Sequence, residues 1–169
     1  MTANLRQPNA YPYSMKTPMA YGIYTAGRPP IATGAATPEN VPSATNLFVC
    51  EILVPVICRP DKMAFLCRGD GGNIVGSLYD AHGNLVGQTA ETLLVADSIV
   101  QCDMIKPVTL VPGLYFFGFQ QNDIGTLWCH NVGWHKQAAI PDQVYGTVPY
   151  KIAVPDGFTT LTGPVGGFC

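Results

Sequence analysis

The sequence predicts an all-β protein, an antiparallel β-sandwich of jelly-roll type with an extended N-terminal arm and an extended C-terminal tail. The chain of 169 residues contains 18 glycines and 15 prolines, which favours many turns and few long helices. No window of about 12 residues carries the apolar stripe of an amphipathic helix. Apolar runs instead recur roughly every 8–15 residues with turn residues between them, as is typical of an antiparallel sandwich.

The central element is a predicted β-hairpin. Over residues 74–79, Ile74, Gly76 and Leu78 alternate with Val75, Ser77 and Tyr79, the period of two expected of a strand, and the chain returns over residues 85–88. Between them, Asp80 can accept local backbone N–H bonds, while Gly83 and Asn84 tolerate positive φ. These residues therefore predict a tight turn that joins two paired strands.

A second strong signal lies at residues 108–119. Pro112 and Gly113 suit a type II turn, because proline presets φ at the first central position and glycine permits positive φ at the second. The run from Leu114 to Phe119 is too apolar for a strand with one solvent-facing side. We expect this strand to lie between two packed layers.

The remaining strands follow from shorter runs. We expect them at residues 47–57, 63–68, 92–96, 98–103 (an edge strand), 126–129 and 150–154, with an irregular connection over residues 130–148. The predicted organisation is an arm over residues 1–45, a β-sandwich domain over residues 46–154 and a tail over residues 155–169.

The arm is rich in proline and tyrosine and has no periodic pattern, so it can form neither a helix nor a well-paired strand. Its aromatic content exceeds that of a typical unstructured segment. We expect an extended arm that becomes ordered on a partner subunit, and a merely tolerated flexible tail is the alternative. The candidate partner-binding residues are Arg6, Tyr11, Tyr13, Lys16, Tyr21, Tyr24 and Arg28.

Charge is scarce in this sequence. Only 12% of the residues are charged, against a usual value near ~25%, so we expect part of the surface to be covered by self-assembly. The net charge of −2 gives no overall footprint for nucleic acid, and no apolar run is long enough to cross a membrane. Without a recognisable signal peptide, we expect the thiols of Cys50, Cys58 and Cys67 to be buried and free.

Catalytic and metal-binding patterns are weak. The short paired spacing of a zinc site is missing from the candidate ligands Cys129, His130, His135 and His82. No Ser or Cys lies in a nucleophile motif. Acidic residues such as Asp80 and Asp97 occupy predicted turns, where acids are ordinary. We therefore expect no enzyme activity, no metal and no cofactor.

Two motifs carry a resemblance to a known class. The hairpin Leu78-Tyr-Asp-Ala-His-Gly-Asn84 and the strand start Leu110-Val-Pro-Gly-Leu-Tyr115 resemble those of the β-sandwich domain found in structural proteins of tailed-bacteriophage virions. The resemblance covers roughly residues 46–129 and implies a homotrimer without enzymatic activity. It does not cover the arm or the aromatic region from 127 to 145.

Two functions compete on this basis. The first is a capsid decoration (cement) protein on the virion surface, assembled in the host cytoplasm, which binds the major capsid protein and itself as a homotrimer. The second is a tail-fibre or receptor-binding module that recognises a host glycan by stacking on Trp128, Trp134 and Tyr145. The arm and the lack of a shaft repeat favour the first.

Overall fold

The computed structural model describes residues 24–25, 36–40, 45–54, 56–67, 69, 71–123, 126–130, 137–155 and 166–168. Side chains are described for residues 45–54, 56–65, 67, 69, 71–123 and 138–155. All regular elements in these ranges are β-strands. Within the same ranges, no helix is long and apolar enough to cross a membrane.

Twelve strands are formed by the described residues. They are β1 Tyr24–Thr25, β2 Ala36–Asn40, β3 Leu47–Val54, β4 Lys62–Cys67, β5 Asn73–Asp80, β6 Leu85–Gln88, β7 Thr92–Leu93, β8 Ser98–Asp103, β9 Gly113–Gln121, β10 Thr126–His130, β11 Gln137–Ile140 and β12 Gly166–Phe168.

The strands form two six-stranded sheets in which every pairing is antiparallel. Sheet 1 has the order β1-β12-β4-β10-β2, and β8 pairs with all six residues of β4. Since β8 occupies one edge of β4, strands β12 and β10 share the other. Sheet 2 has the order β11-β3-β9-β5-β6, with β7 beside β5. The predicted all-β antiparallel sandwich is thus confirmed.

The main core lies between the two sheets. Phe65 of sheet 1 packs on Phe117 and Phe119 of sheet 2, with ring centroids 5.2 and 5.8 Å apart, and Phe48 stacks on Phe119 at 5.4 Å. The buried side chains of this core are Phe48, Ile52, Val54, Met63, Phe65, Cys67, Ile74, Leu78, Leu94, Val100, Cys102, Leu110, Tyr115, Phe117 and Phe119. Period-two alternation in β3, β5 and β9 places these residues on one face.

The opposite face of sheet 2 is also covered. Residues 141–155, which we call the strap, cross this outer face and bury Val148 and Ile152 against it. The sheet contributes Leu47, Val49, Val75, Tyr79, Phe116 and Ala138 to this second cluster. Strand β9 therefore has packed layers on both sides, as its continuous apolar run predicted.

Backbone hydrogen bonds fasten the strap at both ends. The Gln143 N–H donates to the Thr45 carbonyl over 2.8 Å. At the other end, the Ile152 N–H donates to the Gly83 carbonyl over 2.9 Å, and the Leu85 N–H donates to the Tyr150 carbonyl over 2.8 Å. The strap thus connects the start of β3 with the β5–β6 turn.

The predicted turn between β5 and β6 is confirmed. One Asp80 carboxylate oxygen accepts from the N–H groups of His82 and Asn84, both at 2.9 Å, and Gly83 has φ of 80°. Desolvation raises the pKa of Asp80, but hydrogen bonds from the Asn84 side chain and from these two N–H groups outweigh it, so its pKa lies below the ordinary value.

The chain enters β9 through a tyrosine corner, and the predicted type II turn at Pro112–Gly113 is wrong. Gly113 is absent from the positive-φ residues and already pairs with Val54. The Tyr115 hydroxyl accepts from the Val111 N–H at 3.2 Å and donates to the Val111 carbonyl at 3.1 Å. A side chain thus supplies the hydrogen bonds that the turn was expected to supply.

Several predicted boundaries need correction. The strand expected at 92–96 ends at Leu93, and the strand expected at 150–154 forms only an isolated bridge, between Lys151 and Asn84. The region expected to be irregular from 130 to 148 contains β11. Residues 36–40 and 166–168 pair with β10 and β4, so the sheet pairing extends into the segments assigned to the arm and the tail.

Candidate interaction surface

Four exposed aliphatic side chains lie at one end of the β3–β9 ladder. Leu53 and Leu114 are direct cross-strand partners, and both point away from the main core because their neighbours Val54 and Tyr115 point into it. Ile57 and Val111 flank the Cys58–Leu110 bridge, beyond the same end of the ladder. We call Leu53, Ile57, Val111 and Leu114 the end patch; their exposed fractions range from 39% for Leu114 to 70% for Ile57.

The local backbone holds the end patch in place. Cys58 and Leu110 exchange both backbone hydrogen bonds, at 3.1 and 2.9 Å, and the Leu110 side chain is buried in the main core. The Tyr115 hydroxyl fixes the Val111 backbone from the other side. Hydrogen bonds therefore hold the backbone next to Ile57 and at Val111, and so fix the position of these two aliphatic side chains.

A second exposed apolar group lies around the turn between β7 and β8. Leu93, Val95 and Ile99 all have exposed side chains there, and the Ser98 hydroxyl closes the turn by donating to the Val95 carbonyl at 2.7 Å. We call these three residues the β7–β8 group. Leu53 and Leu114 of the end patch belong to sheet 2, and so does Leu93, whereas Ile99 belongs to sheet 1.

An exposed ion pair joins neighbouring strands of sheet 1. Lys62 and Asp103, paired across β4 and β8, form an ion pair at 2.9 Å with both side chains more than a third exposed. A solvent-exposed pair of this kind contributes at most about 1 kcal/mol to stability.

Tyr145, a predicted glycan-stacking residue, fastens the strap. Its hydroxyl donates to a Glu91 carboxylate oxygen at 3.0 Å, and the Asn73 side-chain amide donates to the same oxygen at 2.7 Å. Burial first, and then the neighbouring Glu91 carboxylate, raise the pKa of Tyr145. The Tyr145 hydroxyl is thus hydrogen-bonded within the protein, and the partly buried side chain packs against the second cluster.

The side chains of the other predicted site residues lie outside the described part of the chain. Arg6, Tyr11, Tyr13, Lys16, Tyr21, Arg28 and Trp134 lie outside the described residues, and only the backbones of Tyr24 and Trp128 are described, in β1 and β10. The sequence reasoning missed the end patch, because Leu53 and Leu114 belong to continuous apolar runs that do not separate inward from outward residues.

Four cysteines with described side chains are not joined in disulfides. Cys50, Cys67 and Cys102 are buried and Cys58 is half-buried, which confirms the prediction for Cys50 and Cys67 and corrects it for Cys58. Burial raises the pKa of Cys67 and Cys102 to about 11, so both remain protonated and poorly nucleophilic at neutral pH. Among the described residues, no group of three His, Cys, Asp or Glu side chains is arranged to hold a metal ion.

Comparison with known proteins gave no relative: no family model, no curated protein and no solved structure matches this chain.

Proposed function

We propose that this protein is a structural protein of a phage virion, a capsid decoration protein that binds the assembled shell as a homotrimer. The observation that carries this proposal is the end patch, four braced aliphatic side chains on the surface of a chain with only 12% charged residues. Exposed apolar clusters of this kind mark protein–protein contacts. The assignment to a virion rests on the resemblance of the hairpin and strand-start motifs.

The position of the two exposed groups supports a cyclic assembly. A ring is built from heterologous contacts, in which one surface of a subunit meets a different surface of the next. The end patch lies at one end of the β3–β9 ladder and the β7–β8 group lies around the turn between β7 and β8, so they are two different apolar surfaces. In the proposed trimer, the end patch of one subunit is buried against the β7–β8 group of the next.

The N-terminal segment is assigned to the shell. Residues 1–23 contain Arg6 and Lys16 and no acidic residue, which suits carboxylates on the major capsid protein and favours fast, oriented association. Tyr11, Tyr13 and Tyr21 offer large contact areas at a small cost in rotamer entropy. Prolines restrict the free segment, so less conformational entropy is lost on docking.

The stabilisation of the shell by bound subunits follows from mass action. A subunit that binds only the assembled shell lowers the free energy of that state and leaves the released capsid proteins unchanged. Particles that carry the protein should therefore rupture at a higher temperature than particles stripped of it, and adding the protein back should restore the higher temperature.

The role of the segment is tested by deleting residues 2–23, which keeps the strand pairing that begins at Tyr24. We expect the shortened protein to fold and form trimers but fail to restore the rupture temperature. A matched full-length variant, with Tyr11, Tyr13 and Tyr21 replaced by serine, should show the same failure. Tight decoration of shells by both variants would contradict the assignment. Hundreds of copies per particle are expected for cement, and a handful would favour the glycan-binding alternative.

A further inference from the structure

The two halves of the strap are anchored in different ways. In residues 148–155, the side chains of Val148 and Ile152 are buried against the outer face of sheet 2. In residues 141–147, which we call the flap, every residue is exposed or half-buried. Apolar burial therefore anchors the second half of the strap, whereas the flap depends on the half-buried Tyr145 ring and on hydrogen bonds.

Hydrogen bonds within the flap give it a structure of its own. The Gln143 side-chain amide donates to the Pro141 carbonyl over 2.9 Å. The Thr147 N–H donates to the Val144 carbonyl over 3.0 Å. Both bonds lie inside the flap, so both can persist when the flap moves as a unit.

The backbone offers a hinge position near each end of the flap. Asp142 and Gly146 both have positive φ, 59° and 78°. Glycine adopts this region without steric cost, and aspartate is among the few other residues that tolerate it. Hinge motions are absorbed by changes in φ and ψ at a few such residues, so these two positions can swing the residues between them while the flanking chain stays in place.

Two neutral hydrogen bonds hold the flap against sheet 2. The Gln143 N–H donates to the carbonyl of Thr45, just before β3, over 2.8 Å. Gln120 of β9 donates through its Nε2 atom to the Val144 carbonyl over 3.2 Å. Both bonds use backbone groups of the flap that water can satisfy after opening, so their net contribution to closure is modest.

A carboxylate supplies a further contact. The Tyr145 hydroxyl donates to a Glu91 oxygen over 3.0 Å, and hydrogen bonds to carboxylates are roughly twice as strong as those between neutral groups. The same oxygen accepts from the side-chain amide of Asn73 in β5 over 2.7 Å, and the Asn73 N–H donates to Asn122 Oδ1 over 2.7 Å. Glu91 is therefore oriented by sheet 2 as well as by the flap, and it remains an oriented acceptor when the flap moves.

We propose that the flap opens while the sandwich and the second half of the strap stay folded, and that Glu91 is the latch residue that holds the flap closed. On opening, the Tyr145 hydroxyl exchanges Glu91 for water and the Asn73–Glu91 bond remains. The main core is unaffected, because its buried side chains all lie between residues 48 and 119. The opening therefore requires less free energy than global unfolding. Glu91 thereby sets how often Gln120, which is 1% exposed in the closed state, becomes accessible to solvent.

Amide hydrogen exchange of the full chain under native conditions tests whether the flap opens separately. The Gln143 N–H reports on the flap, the Ile152 N–H on the second half of the strap, and the Phe117 N–H on β9, which is paired on both sides. We expect the protection factor of Gln143 to lie at least about tenfold below those of Ile152 and Phe117. Equal protection at the three amides would show that the flap opens only with the rest of the fold and would overturn the proposal.

The same measurement on variants tests the latch. Tyr145→Phe and Glu91→Ala should each lower the protection of the Gln143 N–H about fivefold. Because both remove the same hydrogen bond, the double variant should be protected no less than the weaker single variant. Glu51→Ala, at an exposed acid of β3, is the control and should leave Gln143 unchanged. The assignment of Glu91 is overturned if either single variant leaves Gln143 unchanged, or if the two effects multiply in the double variant.

Discussion

The Tyr115 hydroxyl is bonded to both backbone polar groups of Val111, accepting from its N–H and donating to its carbonyl. This contact connects the main core with the end patch. The Tyr115 ring belongs to the main core, whereas the Val111 side chain belongs to the exposed end patch. The core therefore positions part of the surface that we assign to subunit contact.

Removing this hydroxyl should destabilise the fold. In Tyr115→Phe the ring stays and the partly buried N–H and carbonyl of Val111 lose their partner, which we expect to cost about 1–3 kcal/mol of unfolding free energy. Urea denaturation followed by tryptophan fluorescence measures the change, with Tyr150→Phe as an exposed control. A loss below about 0.5 kcal/mol, the range of ordinary surface substitutions, would mean that the corner does not brace the chain.

Gly83 and Gly146 form a matched pair for testing the attachment of the strap. Both have positive φ, 80° and 78°, but a Cβ at Gly83 would overlap the Ile152 carbonyl oxygen, whereas a Cβ at Gly146 would have no atom within 4 Å. Gly146→Ala should cost about 1 kcal/mol through backbone strain alone. Gly83→Ala should cost clearly more and speed amide hydrogen exchange at Ile152 and Leu85; equal costs would contradict the close packing of the strap on the turn.

Stability should decrease in alkaline solution. Burial raises the pKa of Cys67 and Cys102 from the ordinary 9.0 to about 11, so the unfolded state releases these protons first as the pH rises. The unfolding free energy should therefore fall from about pH 9 to pH 11. Cys102→Ala should start from a lower stability, because it loses a buried side chain, but should fall less steeply over that range. Equal slopes for the two proteins would contradict the buried-thiol explanation.

The main sheets were predictable because their strands follow simple rules. Alternation identified β5, and the β5–β6 turn was recognised from Asp80 and Gly83. The unbroken apolar run of β9 predicted burial on both faces, although the sequence could not show what supplies the second layer. The cover proved to be the strap.

The strap itself was not predictable from local pattern. Val148 is isolated between Thr147 and Pro149, and the run that contains Ile152 predicted a strand rather than a cover for sheet 2. The hydrogen bonds of the strap join it to distant Thr45 and to the β5–β6 turn. Strand β11 was missed because alanine is a weak strand former. Strand β2 was missed because Pro38 argued against a strand, yet β2 ends the order of sheet 1, and edge strands tolerate proline.

The end patch yields a prediction about association. Ile57→Asp places a charge in a contact that we expect to be desolvated, and should weaken trimer formation at least tenfold, in line with truncation or disruption of a central interface residue. Val144→Asp is the matched control, because Val144 is 72% exposed, close to the 70% of Ile57, but lies on the strap outside both groups. Circular dichroism should show the same strand content in both variants. If the two variants associate equally well, the end patch is not part of the subunit interface.

The central claim is self-association of the folded chain, and the most direct test is its mass in solution. Sedimentation equilibrium of the full-length protein at micromolar concentration should give three times the chain mass of 18.1 kDa. A single species at 18.1 kDa, stable over that concentration range without any shell present, would contradict the homotrimer.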